Sequence, residues 1–196
     1  ESLPPLPRPL AFMTGSRVGD KIYIAGGSEE NGGRSTKNFW VMNLSGTAGA
    51  GGKNVWKELP AWPGPARMLA ASAGQSNGVS NSFYLFSGRK VIPGEKTQIL
   101  YDTYRYDPAL WKWPPLSPVS VDGEPVSVMA APVIASGANH ILVFGGADGE
   151  LFTTLENLDI KIKAAGSPKE VAALKEEKVN ILENHPGFSR HVLAYH

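Results

Sequence analysis

Five charged residues occupy connections in which a ligand could be met. Arg34, Arg89, Lys90, Asp148 and Glu150 each follow a short apolar run that ends in a Gly-Gly or Ser-Gly pair. Arg89 comes directly after Ser87-Gly88, which turns it toward whatever axis those small residues approach. Its guanidinium is a planar fork suited to a carboxylate. Glu150 is the best-placed local carboxylate for acid or base work. Each of these also reads as a solvated loop charge, and that alternative stays open. His140, His185, His191 and His196 have neither zinc-ligand spacing nor the carboxylate company of an iron site, so no metal site is expected. There is no cysteine, which removes disulfides, thiolate ligands and cysteine nucleophiles. The sequence carries no serine elbow, phosphate loop or Ser-His-Asp pattern.

These residues need a scaffold, and the composition describes its kind. Hydrophobic residues make up 42% of the 196, enough for a substantial core. The 22 Gly and 16 Pro, with five Trp and six Tyr, suggest short strands joined by turns. The net charge of +1, with no basic run, argues against nucleic acid or an anionic membrane as partner. No apolar run is long enough to span a bilayer. The chain opens on Glu1 with no leader pattern, so a longer precursor or parent is expected. The absence of cysteine leaves the redox compartment open.

One segment occurs three times. Lys21-Ile22-Tyr23-Ile24-Ala25-Gly26-Gly27 returns as Ser82-Phe83-Tyr84-Leu85-Phe86-Ser87-Gly88 and again as His140-Ile141-Leu142-Val143-Phe144-Gly145-Gly146. The period is about 60 residues, which marks a repeat architecture. An aromatic run follows each copy: Phe39–Leu44, Tyr104–Pro108 and Arg190–His196. Tryptophan strands are expected next, at Val55–Leu59 and Leu110–Trp113. Small-residue stretches at Pro9–Thr14, Met68–Ala73 and Val128–Val133 precede the copies. An antiparallel sandwich competes with this reading, but the even period favours blades. The order of small strand, apolar strand with Gly-Gly, aromatic strand and Trp strand resembles the kelch repeat. The expected fold is an all-β, kelch-type β-propeller with about three of six four-stranded blades, at about 8–60, 67–117 and 128–196. Three blades cannot close a ring, so the remaining blades are expected in another chain or in missing sequence.

The third repeat holds a long insertion, about 150–184. Leu151, Leu155, Leu158 and Ile162 form a helical stripe, and Ala164-Ala165-Gly166 interrupts it. Ser167-Pro168-Lys169-Glu170 starts a second helix, with Ser as cap, Pro in the first turn and Glu three residues on. Asn184-His185-Pro186-Gly187 ends it. A helical hairpin between the second and third strands of the last blade is expected, with a charged face that reads as a lid free of chemistry.

Two runs resemble a narrower family. Glu58–Arg67 resembles the proline-rich turn of the N-acetylneuraminate epimerases, the sialic acid mutarotases, and so does Phe144–Phe152 with the helices behind it. The connection Ser45 to Lys53 is compatible with that family's cyclically permuted branch. The resemblance implies a six-bladed propeller that interconverts sialic acid anomers without a cofactor: a base takes the anomeric hydroxyl proton while an acid protonates the ring oxygen. It also implies a small sugar acid as partner and a periplasmic or secreted setting. Arg67 matches the family's turn arginine and is the one residue the resemblance carries over as substrate-binding, while Arg89 is a second substrate-binding candidate from its place after Ser87-Gly88; the other reading of Arg67 is a structural arginine that donates to backbone carbonyls. The family's proposed catalytic Glu belongs to a later blade. Ala131-Pro132 stands where the family has Gly-His. The alternative function is a non-catalytic kelch module that binds glycan or protein through its loops. A kelch-type copper radical oxidase would need a Cys–Tyr cross-link, for which this chain has no Cys.

Overall fold

The structure, a computed structural model, describes residues 3–30, 33–45, 55–185 and 187–196. Its first sheet runs β1 (Thr14–Val18), β2 (Lys21–Ala25), β3 (Phe39–Asn43) and β4 (Lys57–Glu58), paired in that order and antiparallel. The second repeats the plan with β5 (Ala71–Ser76), β6 (Asn81–Lys90), β7 (Gln98–Tyr106) and β8 (Pro115–Leu116). A small hairpin follows, β9 (Ser120–Val121) with β10 (Glu124–Pro125), turning at Asp122-Gly123. The third sheet is β11 (Val133–Ser136), β12 (His140–Phe144) and β13 (Val192–Tyr195), three-stranded among the described residues. Between β12 and β13 stand α1 (Glu150–Ala164) and α2 (Pro168–Glu183).

The sheets stack face against face, and each joint has its own core. Tyr23, Ala25 and Phe39 of the first sheet meet Phe83, Leu85, Tyr104, Tyr106 and Trp113 of the second. The Phe39 and Trp113 rings meet edge-on with centroids 4.7 Å apart. Tyr84 and Phe86, on the opposite face of the second sheet, pack on Ile141 and Val143 of the third. The alternation of the strands puts successive residues on opposite faces, so one run serves two joints.

The small residues are explained where the sheets converge. A Cβ on Gly74 in β5 would collide with the Arg17 carbonyl of β1, so these two strands nearly touch. A Cβ on Gly88 would come within 2.9 Å of the Met68 carbonyl, and one on Gly27 within 2.7 Å of the Ala11 carbonyl. Across the joints, Leu69 N–H donates to the Phe12 carbonyl at 2.8 Å, and Ala130 N–H to the Leu69 carbonyl at 2.9 Å. Phe12, Leu69 and Ala130 share the same left-handed backbone, with φ of 57, 54 and 53°. Thr14 and Ser72 hydroxyls bond at 2.7 Å between β1 and β5.

One expectation about the outer strands changes. Leu110–Trp113 is not a strand. The Asp107 carboxylate accepts from the Ala109 and Leu110 amides, Asp107 bridges to Lys112, and Trp111 turns at φ 54°, so this run is a tight turn. The outer strand is Pro115–Leu116. Trp113 packs inward instead, and its indole donates to the Pro60 carbonyl at 2.8 Å. Trp56 makes the equivalent bond to Pro4 at 3.2 Å. The helical hairpin has the expected caps: Ser167 accepts from the Glu170 amide at 3.2 Å. Pro186, in its closing turn, and residues 46–53 of the Ser45–Lys53 connection lie outside the described residues.

The buried tyrosines set an alkaline limit. Burial pushes the phenols of Tyr23 and Tyr104 up to about 12, and those of Tyr84, Tyr106 and Tyr195 upward as well. A raised folded pKa adds stability that is whole below the unfolded value of 10.0 and is lost as pH climbs toward 12. The melting temperature should therefore fall between those two values, with phenolate absorbance at 295 nm appearing together with unfolding. Phenolate in the native protein at the lower value, without loss of fold, would contradict this.

Candidate functional site

Arg67 lies in the lead-in to β5 and is fully buried. Its backbone belongs to the joint with the first sheet: its N–H donates to Thr36 and its carbonyl accepts from Gly27 N–H at 2.8 Å. Its side chain crosses to the second sheet. Nη1 donates to the Ser87 carbonyl and Nη2 to Asp102 Oδ2, each at 2.8 Å. Trp62 and Tyr104 rings flank the guanidinium at 5.3 and 5.4 Å. Of the two sequence readings of Arg67, the geometry favours the structural one. With both terminal nitrogens committed and no exposed surface, the residue is a bolt between two blades.

Arg89, at the end of β6, is placed differently. Its backbone bridges Met68, and its carbonyl accepts from the Ser35 hydroxyl at 3.3 Å. The half-buried guanidinium lies 3.8 Å from the Phe152 ring centroid in α1, and no acceptor among the described residues takes its buried Nε. Burial pulls its pKa down from 12.5, and the Glu156 carboxylate partly offsets that. A guanidinium so placed stays charged and has donors to give.

Phe152 and Glu156 are four residues apart and share the face of α1 that meets the second sheet. Glu156 accepts from the Thr97 amide at 3.1 and 3.2 Å and from its hydroxyl at 2.7 Å. Gly149 gives α1 its close start, since a Cβ there would come within 2.7 Å of Ile99. The insertion of the third sheet is thus strapped across the second. Glu156→Ala should release the strap. The Thr97 amide should lose protection from hydrogen exchange on the order of tenfold or more, while core amides of β6 keep theirs. Unchanged protection at Thr97 would contradict the strap.

Glu150 is exposed at the first turn of α1, where its amide donates to Asp148 at 2.9 Å. Two residues are about 200° apart on a helix, so Glu150 points away from the Phe152 face. It lines a cleft of about 460 Å³ with Leu151, Phe152, Leu155, His185 and Phe188. The structure therefore does not bring Arg67, Arg89 and Glu150 together. Arg34 is exposed and Lys90 half-buried, with no ion pair among the described residues. Among those residues no cluster of three or more acidic or histidine side chains could hold a metal. No described helix is long and apolar enough to cross a membrane. Asp102 and Glu156 escaped sequence reasoning. Alternation along β7 puts Asp102 in phase with the buried Tyr104 and Tyr106, a signal that went unread, and the i, i+4 pairing of Phe152 with Glu156 was a signal that the leucine stripe masked.

The profile of the N-acetylneuraminate epimerase family matches residues 3–196. The chain belongs to the N-acetylneuraminate epimerase family. An N-acetylneuraminate epimerase of Pasteurella multocida is 29% identical over 193 residues, which is 98% of this chain and 45% of that protein. A kelch domain-containing protein of Vibrio cholerae is 27% identical over 174 residues, 88% of this chain and 43% of that protein. The solved structure of YjhT superposes with a TM-score of 0.72 at 21% identity, covering 98% of this chain and 50% of that one. That likeness shows the kelch-type β-propeller fold. This epimerase-family chain spans about half the length of the relatives it matches.

Proposed function

We propose that this chain is the half of a sialic acid mutarotase that holds the substrate carboxylate, through Arg89. The single observation that carries the reading is a half-buried guanidinium that makes no hydrogen bond or ion pair among the described residues, placed beneath the strapped helix of a chain in the N-acetylneuraminate epimerase family. A carboxylate would give that fork the acceptors it lacks.

The substrate chemistry limits where the acid and base can stand. In a 2-keto sugar acid the carboxylate carbon is bonded directly to the anomeric carbon, which carries both the hydroxyl to be deprotonated and the ring oxygen to be protonated. Both proton-transfer groups must therefore lie within hydrogen-bond reach of the anchored end. Glu150 starts α1 about 200° around the helix from Phe152 and shares a cleft with it, so it is a less direct candidate for either role than a group facing Arg89. The pair comes from across the channel, from the blades that complete the ring. Ring opening and reclosure by acid and base needs no cofactor. The same reading puts the protein in the periplasm or outside the cell, which fractionation of the producing cell checks.

Exchange NMR of N-acetylneuraminate with the ring-complete protein tests the proposal. Cross-peaks between the α and β anomers should build up faster than in buffer alone. Saturable binding with no gain in exchange would favour the non-catalytic glycan-binding module, and no binding would remove both.

A further inference from the structure

Arg89 stands where three blades meet, and each blade fixes a different part of it. Its own blade supplies the end of β6, just past the register shift between Phe86 and Gly88. The connection after the first blade's β2 holds the backbone. Ser35 Oγ donates to the Arg89 carbonyl at 3.3 Å and accepts from the Val91 amide at 2.9 Å, and the Ser35 amide donates to the Val91 carbonyl at 3.0 Å. Met68 exchanges both backbone hydrogen bonds with Arg89, at 2.9 and 3.0 Å. These bonds fix where the side chain starts and not where it ends, and an arginine has much rotamer freedom beyond its Cα.

The third blade fixes the other end. The Phe152 ring centroid lies 3.8 Å from the Arg89 guanidinium carbon, whereas the other cations near rings, at Arg8, Lys37 and Arg67, lie 5.3 to 6.0 Å away. That is full van der Waals contact with a cation, where the attraction of the ring face is strongest. No hydrogen bond or ion pair among the described residues competes for the guanidinium. A ring takes up none of the N–H donors as a carboxylate or carbonyl would, so the group is held in place with its donors still to give.

Phe152 is held in turn by the way α1 lands on the second sheet. The register pairs Arg89 with Ile99, and cross-strand partners share a face. Gly149, at the start of α1, sits on Ile99, and Glu156, one turn beyond Phe152, accepts from Thr97, two residues before Ile99. The helix therefore crosses the sheet at the residues opposite Arg89, with Phe152 between its two contacts.

We propose that Phe152 is a positioning residue for Arg89: the insertion of the third blade, latched by Glu156 to Thr97, sets this ring on the guanidinium and fixes the fork before a carboxylate arrives. A donor group ordered in advance loses less freedom on binding and so binds more tightly without any added contact. The insertion then has a part in binding and is not the inert cover expected from the sequence. The proposal rests on the reading of Arg89 as the carboxylate anchor, and its physical half is tested without any sugar.

Two measurements on the ring-complete protein separate the two ideas. The first follows the Arg89 Nε–H resonance by proton–nitrogen NMR, assigned by its loss in Arg89→Lys. The ring current of Phe152 should shift it upfield. Phe152→Leu, apolar but without a ring, should return it toward the position of free arginine, and Phe152→Tyr should keep the shift. Phe152 belongs to neither inter-blade core, so the fold should survive each change. The second measures anomer exchange of N-acetylneuraminate. Phe152→Leu should raise KM about tenfold, the scale of a desolvated cation–π contact, with kcat nearly unchanged, and Phe152→Tyr should restore KM. A resonance indifferent to Phe152→Leu would overturn the proposal whatever the activity, and so would a resonance that moves while KM stays put. A parent protein that shows the shifted resonance but neither binds nor exchanges the sugar acid would remove the mutarotase reading and leave the placing of Arg89 by Phe152 standing.

Discussion

Arg67→Ala is expected to cost about 3–5 kcal/mol of stability, the range for removing one partner of a buried ion pair. Three losses combine. The Ser87 carbonyl loses its donor at 2.8 Å, Asp102 loses its ion pair at 2.8 Å, and the space between Trp62 and Tyr104 is left open. Asp102 is 30% exposed on its side chain, so water recovers part of its interaction, and the unpaired carbonyl and cavity carry most of the cost. Asp102→Asn keeps an oxygen to accept from Arg67 but leaves the fully buried guanidinium without its counter-charge, so it should also cost on the order of 3 kcal/mol. Against a usual total of about 5–15 kcal/mol, Arg67→Ala leaves a marginal fold. Urea titration followed by tryptophan fluorescence measures both. If Arg67→Ala kept its midpoint and lost only sugar binding, the residue would be an anchor and not a bolt.

Arg89→Ala should do the reverse: little change in stability and a large loss of activity. Its guanidinium donates to no group among the described residues, so removing it loses only the Phe152 ring contact and the attraction of Glu156, about 1 kcal/mol together. Two charge-assisted hydrogen bonds to a carboxylate are worth about 3 kcal/mol together at the low end, which lowers kcat/KM for anomer exchange about 100-fold. Arg89→Lys keeps the charge and loses the planar fork, so it should recover only part of the loss. Because the anchor acts in ground state and transition state alike, the effect should fall mainly on KM. Activity of Arg89→Ala within a few-fold of the parent would remove the residue from the site.

The blades were legible in the sequence because their causes are local and repeated. Gly27, Gly88 and Gly146 recur since each faces a neighbouring backbone at the same joint, with φ of 101, 105 and 91°. The hairpin of α1 and α2 was legible from the leucine stripe and the Ser167 cap. The outer strand of the second blade was not, because Trp111 and Trp113 have strand-forming side chains and only the Asp107 turn overrides that preference. The site was legible as a set of residue types and not as an arrangement. Nothing in the order of residues reveals that Arg67 reaches Asp102, 35 positions on, while Arg89 has no ion pair among the described residues and lies under a helix from another blade. Burial sorts the two arginines, and burial is a property of the assembled ring.

The most direct measurement compares anomer exchange of N-acetylneuraminate with that of its C1 methyl ester on the ring-complete protein, both followed by exchange NMR at equal concentration. The ester has the same ring, hydroxyls and acetamide but no charge for Arg89 to hold. The expected result is clear acceleration of the free acid and exchange of the ester near the buffer rate. Equal acceleration of acid and ester would contradict a carboxylate anchor at Arg89, and with it the role assigned to this half of the propeller.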